Sequence, residues 1–235
     1  MCGVSGIINL SNNANIKRDH LDKMADSMVH RGPDDRGLYL NPNKKVGLGF
    51  RRLSIIDIKN GHQPMSDDAE NTWIVFNGEI YNHMILRNEL QKKGYKFRTN
   101  TDTESILHGY REWGEDIVNR LQGMFAFAVW DEQKSKMFIA RDRLGIKPLY
   151  YYYNKNRFIF ASEIKAFFTL PDLVPVLNEK AMFHYLTLSV SPVPQTMFKG
   201  INKLPAGHTL SITRGGKIHK NQYWSPTKVQ KYVKN

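Results

Sequence analysis

The only cysteine of this 235-residue chain stands at position 2, in "MCGVSGIINL", directly behind the initiator methionine. Removal of Met1 would make Cys2 the N-terminal residue, and a small side chain at position 2 is what methionine removal tolerates. A free N-terminal cysteine carries a thiol with an ordinary pKa of about 8.5 and an amine at about 7.7–8.0. These values are close enough for the amine to take the thiol proton near neutral pH, directly or through one water. One residue is then nucleophile and base together. A free cysteine can equally be a small buried hydrophobe, so Cys2 needs companions before it implies chemistry.

The next candidate is "FNGEIYN", residues 76–82, following the apolar run "TWIV". Asn77 at a strand end offers a side-chain NH2, and Gly78 offers a backbone N–H with no side chain in front of it. Two such donors aimed at one point can hold a developing oxyanion, each worth roughly 2.7–4 kcal/mol in a transition state. Asn-Gly is also the strongest short hairpin signal, so a plain turn is the competing reading. In "FRRLSIID", residues 50–57, two arginines interrupt a β-rich apolar run, which is costly unless they alternate faces or meet an anion. An arginine fork suits a carboxylate held by two parallel bonds; a structural ion pair would satisfy it as well. Asp102, in "TNTDTES", reads either as a helix cap or as a binder of a cationic group in a pocket.

These residues need elements to carry them. "VSGIINL", residues 4–10, reads as a buried strand, and Ile16, Leu21, Met24, Ala25 and Met28 recur at helical spacing until "HRGPDDRG" breaks the pattern. Strands are expected in "KVGLGFRRLSII" and "TWIVFNGEI". A helix is expected over about 82–93, ending at Gly94, and another over about 102–121, capped by Thr101 or Asp102. "GMFAFAVWDEQKSKMFIARD", "LYYYYNKNRFIFAS" and "HTLSITRGGKIHKNQYW" each read as a hairpin. Hairpins mixed with helices imply mostly antiparallel sheets covered by helices. Residues 171–198, with four prolines among short apolar stretches, read as a connection leaving the main domain. There is no internal repeat and no Gly-rich phosphate loop of either common type.

Composition narrows the class. Hydrophobic residues at 41% are enough for a globular core. No apolar run approaches the roughly 18 residues that suggest a membrane span, and the N-terminal stretch lacks the basic segment followed by an apolar one that reads as a secretory signal. A single cysteine excludes an internal disulfide framework and a Cys-rich zinc site, and fits a reducing, cytoplasmic setting. The net charge of +12 first suggests nucleic acid. Its distribution argues otherwise, because no acid follows Glu179 while nine Lys or Arg do, from Lys180 onward. The aromatics there do not interleave with the cations as a stacking platform requires. A solvated basic tail, or a surface facing a partner, is the reading this pattern favours.

Taken in order, "MCGVSGI", "HRGPDDRG", "RRLSIID", "GHQPM", "FNGEIYNH", "TDTESILHGY", "LQGMFAFAVWD" and "ARDRLGIKPLYYY" resemble the glutaminase domain of glutamine-dependent asparagine synthetases. The resemblance runs from residue 1 to about 170, and it is closer than that to glucosamine-6-phosphate synthase or amidophosphoribosyltransferase around "RRLSIID" and "FNGEIYN". It implies an α+β fold, a four-layer α/β/β/α sandwich of antiparallel sheets of the N-terminal nucleophile hydrolase type. The domains would be 1–170, a class II glutamine amidotransferase domain, and 171–235, a C-terminal connection toward a synthetase domain.

By the same resemblance Cys2 is the nucleophile, and Asn77 and Gly78 form the oxyanion hole. Arg52 clamps the α-carboxylate of L-glutamine, with the chain at Leu53, Ser54, Ile55 and Ile56 lining the pocket, and Glu79 and Asp102 receive the α-ammonium. No metal or cofactor is implied for this half-reaction. Mg-ATP, with aspartate or another acceptor, belongs to a synthetase domain or subunit whose S-G-G-x-D-S loop does not occur here. The implied partners are glutamine and that synthetase part, with a homodimer as a candidate assembly and no nucleic acid or membrane. Phe50 departs from the histidine that many members carry. Two other classes compete: an inactive glutamine-binding or partner-docking module, against which the intact Cys2, Arg52, Asn77, Gly78 and Asp102 weigh, and a basic nucleic-acid binder. Intact-mass measurement of the cell-expressed chain is expected to show loss of Met1. A form retaining Met1 is expected to hydrolyse no glutamine, and full activity with Met1 in place would remove the N-terminal base from the chemistry.

Overall fold

Every residue of Gly3–Asn9 (β1) is buried, which is the mark of a central strand covered on both faces. A computed structural model of the chain describes residues 1–11 and 15–227. In it β1 pairs antiparallel with Val46–Arg52 (β3) on one side and Arg157–Ala161 (β9) on the other. Asp35–Leu40 (β2) closes one edge of this sheet, and Tyr150–Tyr153 (β8) and Asn202–Lys203 (β10) close the other. A second sheet has Met65–Ser66 (β4), Thr72–Ile80 (β5), Gly123–Asp131 (β6), Lys136–Arg141 (β7), His208–Thr213 (β11) and Ile218–Gln222 (β12) side by side, and its pairs too are antiparallel.

Side-chain alternation stacks the two sheets. Val4, Ile8, Leu48 and Phe50 of the first meet Val75, Ala128, Trp130 and Ile139 of the second in one core cluster. Phe50, the position that departs from the family pattern, is thus an interior packing residue. On its outer face the first sheet packs Ile7 and Ile159 against Leu21 and Met24 of Arg18–Asp26 (α1) and against Phe167 of the 3-10 turn Ile164–Thr169. The second sheet packs Ile74, Phe76 and Phe127 against Leu86 of His83–Lys92 (α2) and Ile106, Leu107 and Tyr110 of Asp102–Trp113 (α3). The result is helix, sheet, sheet, helix. That is the expected four-layer α/β/β/α sandwich.

Three expectations give way. The helix expected across 102–121 stops at Trp113, because Gly114 takes a φ of 62°, where glycine is at ease. A 3-10 turn, Gly114–Asp116, and a short helix, Ile117–Arg120 (α4), follow, and Ile117 folds back against the bare Cα of Gly109. The strand expected in 45–56 ends at Arg52, whose guanidinium gathers the carbonyls of Ile56, Asp57 and Ile58 and so curls residues 53–61 into a loop. The chain expected to leave the domain after residue 170 comes back. After Glu179–Leu188 (α5), β10 pairs with β8 and β11 with β7, and Leu204, Leu210 and Ile212 enter the inter-sheet core. The basic stretch is therefore partly built into sheet edges, while Lys228, Lys231 and Lys234 lie outside the described residues.

Because β7 supplies the centre of the inter-sheet core, Ile139→Ala is expected to destabilise the fold by about 2–5 kcal/mol. Urea denaturation followed by far-UV circular dichroism would read this as a lower midpoint with an unchanged slope.

Candidate active site

Strand register, more than any single contact, assembles the site. Gly3 lies opposite Arg51 in the β1–β3 ladder, so Cys2, one residue before β1, falls beside the point where β3 runs out into its loop. There the Leu53 N–H donates to Cys2 Sγ at 3.4 Å, and the thiol points at the Leu53 carbonyl at 3.7 Å. Behind it, Arg31 Nε donates to the Cys2 carbonyl at 2.9 Å while Arg31 Nη1 bonds Glu163 at 3.0 Å, which fixes the backbone of the residue. The thiol opens into a cavity of about 260 Å³ shared with Arg52, Asn77, Gly78, Glu79 and Asp102. Leu53, Ile55 and Ile56 also line it. Ser54 does not: its N–H donates to Asp34 Oδ2 at 2.7 Å, and it faces a separate shallow cleft.

The Asn-Gly pair sits inside β5, so the turn reading falls. Asn77 shares the inward face of β5 with Val75, and it is 1% exposed. Its Nδ2 is buried with no hydrogen-bond partner among the described residues. Such an orphan ordinarily costs about 1–3 kcal/mol. Gly78 lies opposite Phe125, and both the N–H and the carbonyl of Phe125 bond Asp142, on the side away from β5. Pairs in an antiparallel ladder alternate between bonded and non-bonded, so the Gly78 N–H points outward from β6.

Its neighbours on that edge confirm the phase. Phe76 N–H donates to Gln63 Oε1 at 2.7 Å, and Ile80 N–H donates to Asp102 Oδ2 at 3.0 Å. The N–H between them has no partner among the described residues. A side chain at position 78 would also put its Cβ 2.2 Å from the Met124 carbonyl, so only glycine fits this close pairing.

Opposite charges line the same space. Arg52 is buried and gives three of its five N–H bonds to loop carbonyls at 2.8–2.9 Å, leaving two for a visitor. The loop is pinned in turn by Asp57, whose carboxylate accepts from Asn100 N–H at 2.8 Å, just before α3. Thr101 caps α3, accepting from Glu104 N–H at 3.3 Å, and this leaves the Asp102 carboxylate free of the capping role. Burial pushes the Asp102 carboxyl above its ordinary range, opposed by the Ile80 N–H. Burial likewise pushes the Cys2 thiol up, opposed by the Leu53 backbone and by positive charges that include Arg52 and Lys147.

Arg51, the other arginine of the pair, lies away from the cavity and pairs with Asp26. Among the described residues no group of three or more His, Cys, Asp or Glu is placed to hold a metal. Arg31, Gln63 and Lys147 were not singled out as site residues in the sequence. Each stands in a run that carries the resemblance, "HRGPDDRG", "GHQPM" and "LGIKPLYYY", and that is the one signal that could have found them.

The family model described as "Glutamine amidotransferase domain" matches residues 1–224. Two asparagine synthetases (glutamine-hydrolyzing) of Bacillus subtilis are similar to the chain. Number 3 is 38% identical over 96% of this chain and 37% of its own length, and number 1 is 40% identical over 95% and 35%. The chain thus spans little more than a third of these relatives. The solved glutamine phosphoribosylpyrophosphate amidotransferase of B. subtilis shares the fold, with a TM-score of 0.65 at 18% identity over 95% of this chain and 49% of that one.

Gln63 closes the β5 edge beside the orphan donors, with Nε2 donating to Thr103 Oγ1 at 3.1 Å. Gln63→Ala is expected to cost about 1–3 kcal/mol by stranding the Phe76 N–H. A thermal melt would show this as a lowered midpoint; an unchanged midpoint would mean that water replaces the amide.

Proposed function

This chain belongs to the glutamine amidotransferase domain family, and on that premise we propose that it hydrolyses L-glutamine to glutamate and ammonia with Cys2 as the N-terminal nucleophile. The observation that carries the reading is the pair of unsatisfied donors, Asn77 Nδ2 and Gly78 N–H, in one cavity with the thiol. Once Met1 is removed, the Cys2 amine takes the thiol proton and the sulfur bonds to the side-chain amide carbon. The carbonyl oxygen becomes an oxyanion that Asn77 and Gly78 receive. The oxyanion collapses, the C–N bond breaks, and the proton held by the amine leaves with the nitrogen as ammonia. Water then adds to the γ-glutamyl thioester, gives its proton to the amine, and glutamate departs as the proton returns to sulfur.

Arg52 and the acids divide the substrate between them. Glutamine is a zwitterion, so its recognition needs a cation for the α-carboxylate and anionic groups for the α-ammonium. The two uncommitted N–H bonds of Arg52 suit the first, and Glu79 with Asp102 suits the second. Leu53, Ile55 and Ile56 form the wall between. This half-reaction calls on no metal or cofactor of its own.

The ammonia acceptor would lie in the portion of the longer relatives that this chain does not span. Aspartate with Mg-ATP is the acceptor chemistry that the asparagine synthetases' names suggest, supplied by a synthetase domain or subunit. No helix among the described residues is long and apolar enough to cross a membrane, and a chemistry that depends on one free thiol suits a reducing cytoplasm.

Cys2→Ala is expected to abolish glutamine hydrolysis while glutamine still binds, because the clamps lie elsewhere. Asn77→Ala should lower kcat by about 10²–10³ with a smaller change in KM, and Arg52→Ala should raise KM steeply. A kcat unmoved by Asn77→Ala would place the oxyanion donors elsewhere. With amide-labelled glutamine, aspartate and Mg-ATP, the 235-residue chain is expected to release labelled ammonia; labelled asparagine appearing without a second protein would overturn the division of labour.

A further inference from the structure

Lys147 stands in the wall of the Cys2 cavity and is 6% exposed. Its backbone is fixed at both ends, the N–H donating to Asp142 Oδ2 at 3.0 Å and the carbonyl accepting from Arg141 Nε at 2.7 Å. Its ammonium has no ion pair or hydrogen bond among the described residues. Its nitrogen is not sealed off with the unpartnered polar atoms of the core but remains open to the cavity. It shares that cavity with the thiol and with the charged groups Arg52, Glu79 and Asp102.

We propose that Lys147 acts through Cys2, its ammonium favouring thiolate over thiol and neutral amine over charged amine, so that nucleophile and base are ready at the same pH. A nearby cation disfavours every further positive charge and favours every negative one, so one residue serves both halves of the N-terminal pair. The inference rests on reading Cys2 as the nucleophile.

The other charges around Cys2 cannot do this throughout the reaction. Arg52, from β3, is committed to three carbonyls and would be neutralised by the α-carboxylate of bound glutamine. Arg31, from the turn after α1, is engaged by the Cys2 carbonyl and Glu163. The α-ammonium of the chain loses its charge on becoming the base. Glu79 on β5 and Asp102 on α3 oppose thiolate formation until the substrate ammonium covers them. Among the described cations of the cavity wall, Lys147 alone has no partner of its own, and its charge works against the burial that pushes the thiol up.

Cys2 is the sole thiol of the chain, so iodoacetamide reads it alone. The test uses chain with Met1 loss verified by mass, as wild type, Lys147→Met, Lys147→Gln and Lys147→Arg. Both neutral variants are expected to raise the pH midpoint of alkylation by about 0.5–1 unit and to move the acid limb of kcat/KM upward with it. Lys147→Arg should keep the wild-type profile. Glutamine Kd, measured with Cys2→Ala added to each, should stay within about twofold of Cys2→Ala alone. An unmoved midpoint in neutral variants that still bind glutamine overturns the proposal, and so does loss of glutamine binding, which would make Lys147 a substrate contact. A midpoint that moves in a chain hydrolysing no glutamine supports the role of Lys147 and sinks the glutaminase reading instead.

Discussion

The edge of β5 beyond Ile74 has no strand beside it, because β4 is two residues long and pairs only with Ile74 and Trp73. Buried backbone N–H groups must find partners, and the way this edge finds them determines the rest of the site. Phe76 takes the Gln63 side chain and Ile80 takes the Asp102 carboxylate. One N–H, that of Gly78, is left facing the cavity, next to the orphan amide of Asn77. A longer β4 would have consumed the backbone donors of Phe76, Gly78 and Ile80 in an ordinary ladder. The short strand leaves a sheet edge that is open at one point and closed on both sides of it.

Cys2 answers to a second constraint, the conflict between fixing a chain terminus and leaving it reactive. β1 is buried at every residue, so the strand behind Cys2 cannot fray. Arg31 grips its carbonyl and the Leu53 N–H meets its sulfur, yet the residue itself stands just outside the ladder. The same burial disfavours the thiolate. The side-chain positive charges that oppose this burial come from β3 and from the loop preceding β8.

The C-terminal strands belong to this arrangement. β10 and β11 extend opposite sheets, and Leu204, Leu210 and Ile212 contribute to the core between them. Arg141 Nη1 bonds the Leu204 carbonyl, while its Nε holds Lys147 from behind. Residues after 200 thus brace the segment that carries a cavity-lining cation. Proline content suggested a departing connection at 171–198, but proline marks where a chain turns, not where it goes next.

Local pattern was enough for the residues whose chemistry is written in their neighbours. Cys2 behind Met1, the strand through "TWIVFNGEI", the paired arginines and the helical start at Asp102 were legible, as were the hairpins, because period-2 burial and turn residues are properties of short stretches. The ordered motifs added the sandwich. What required tertiary structure is whatever depends on phase and proximity. Whether Asn-Gly makes a turn or a strand depends on β6 pairing through position 78, and whether Arg51 or Arg52 meets the cavity depends on which face β3 turns toward α1. Gln63, Arg31 and Lys147 join Cys2 from segments distant in the chain, and Ser54 leaves the pocket for Asp34 although it sits between residues that stay. Spacing along a chain specifies which faces a residue can reach; only the packing of two sheets decides what waits on that face.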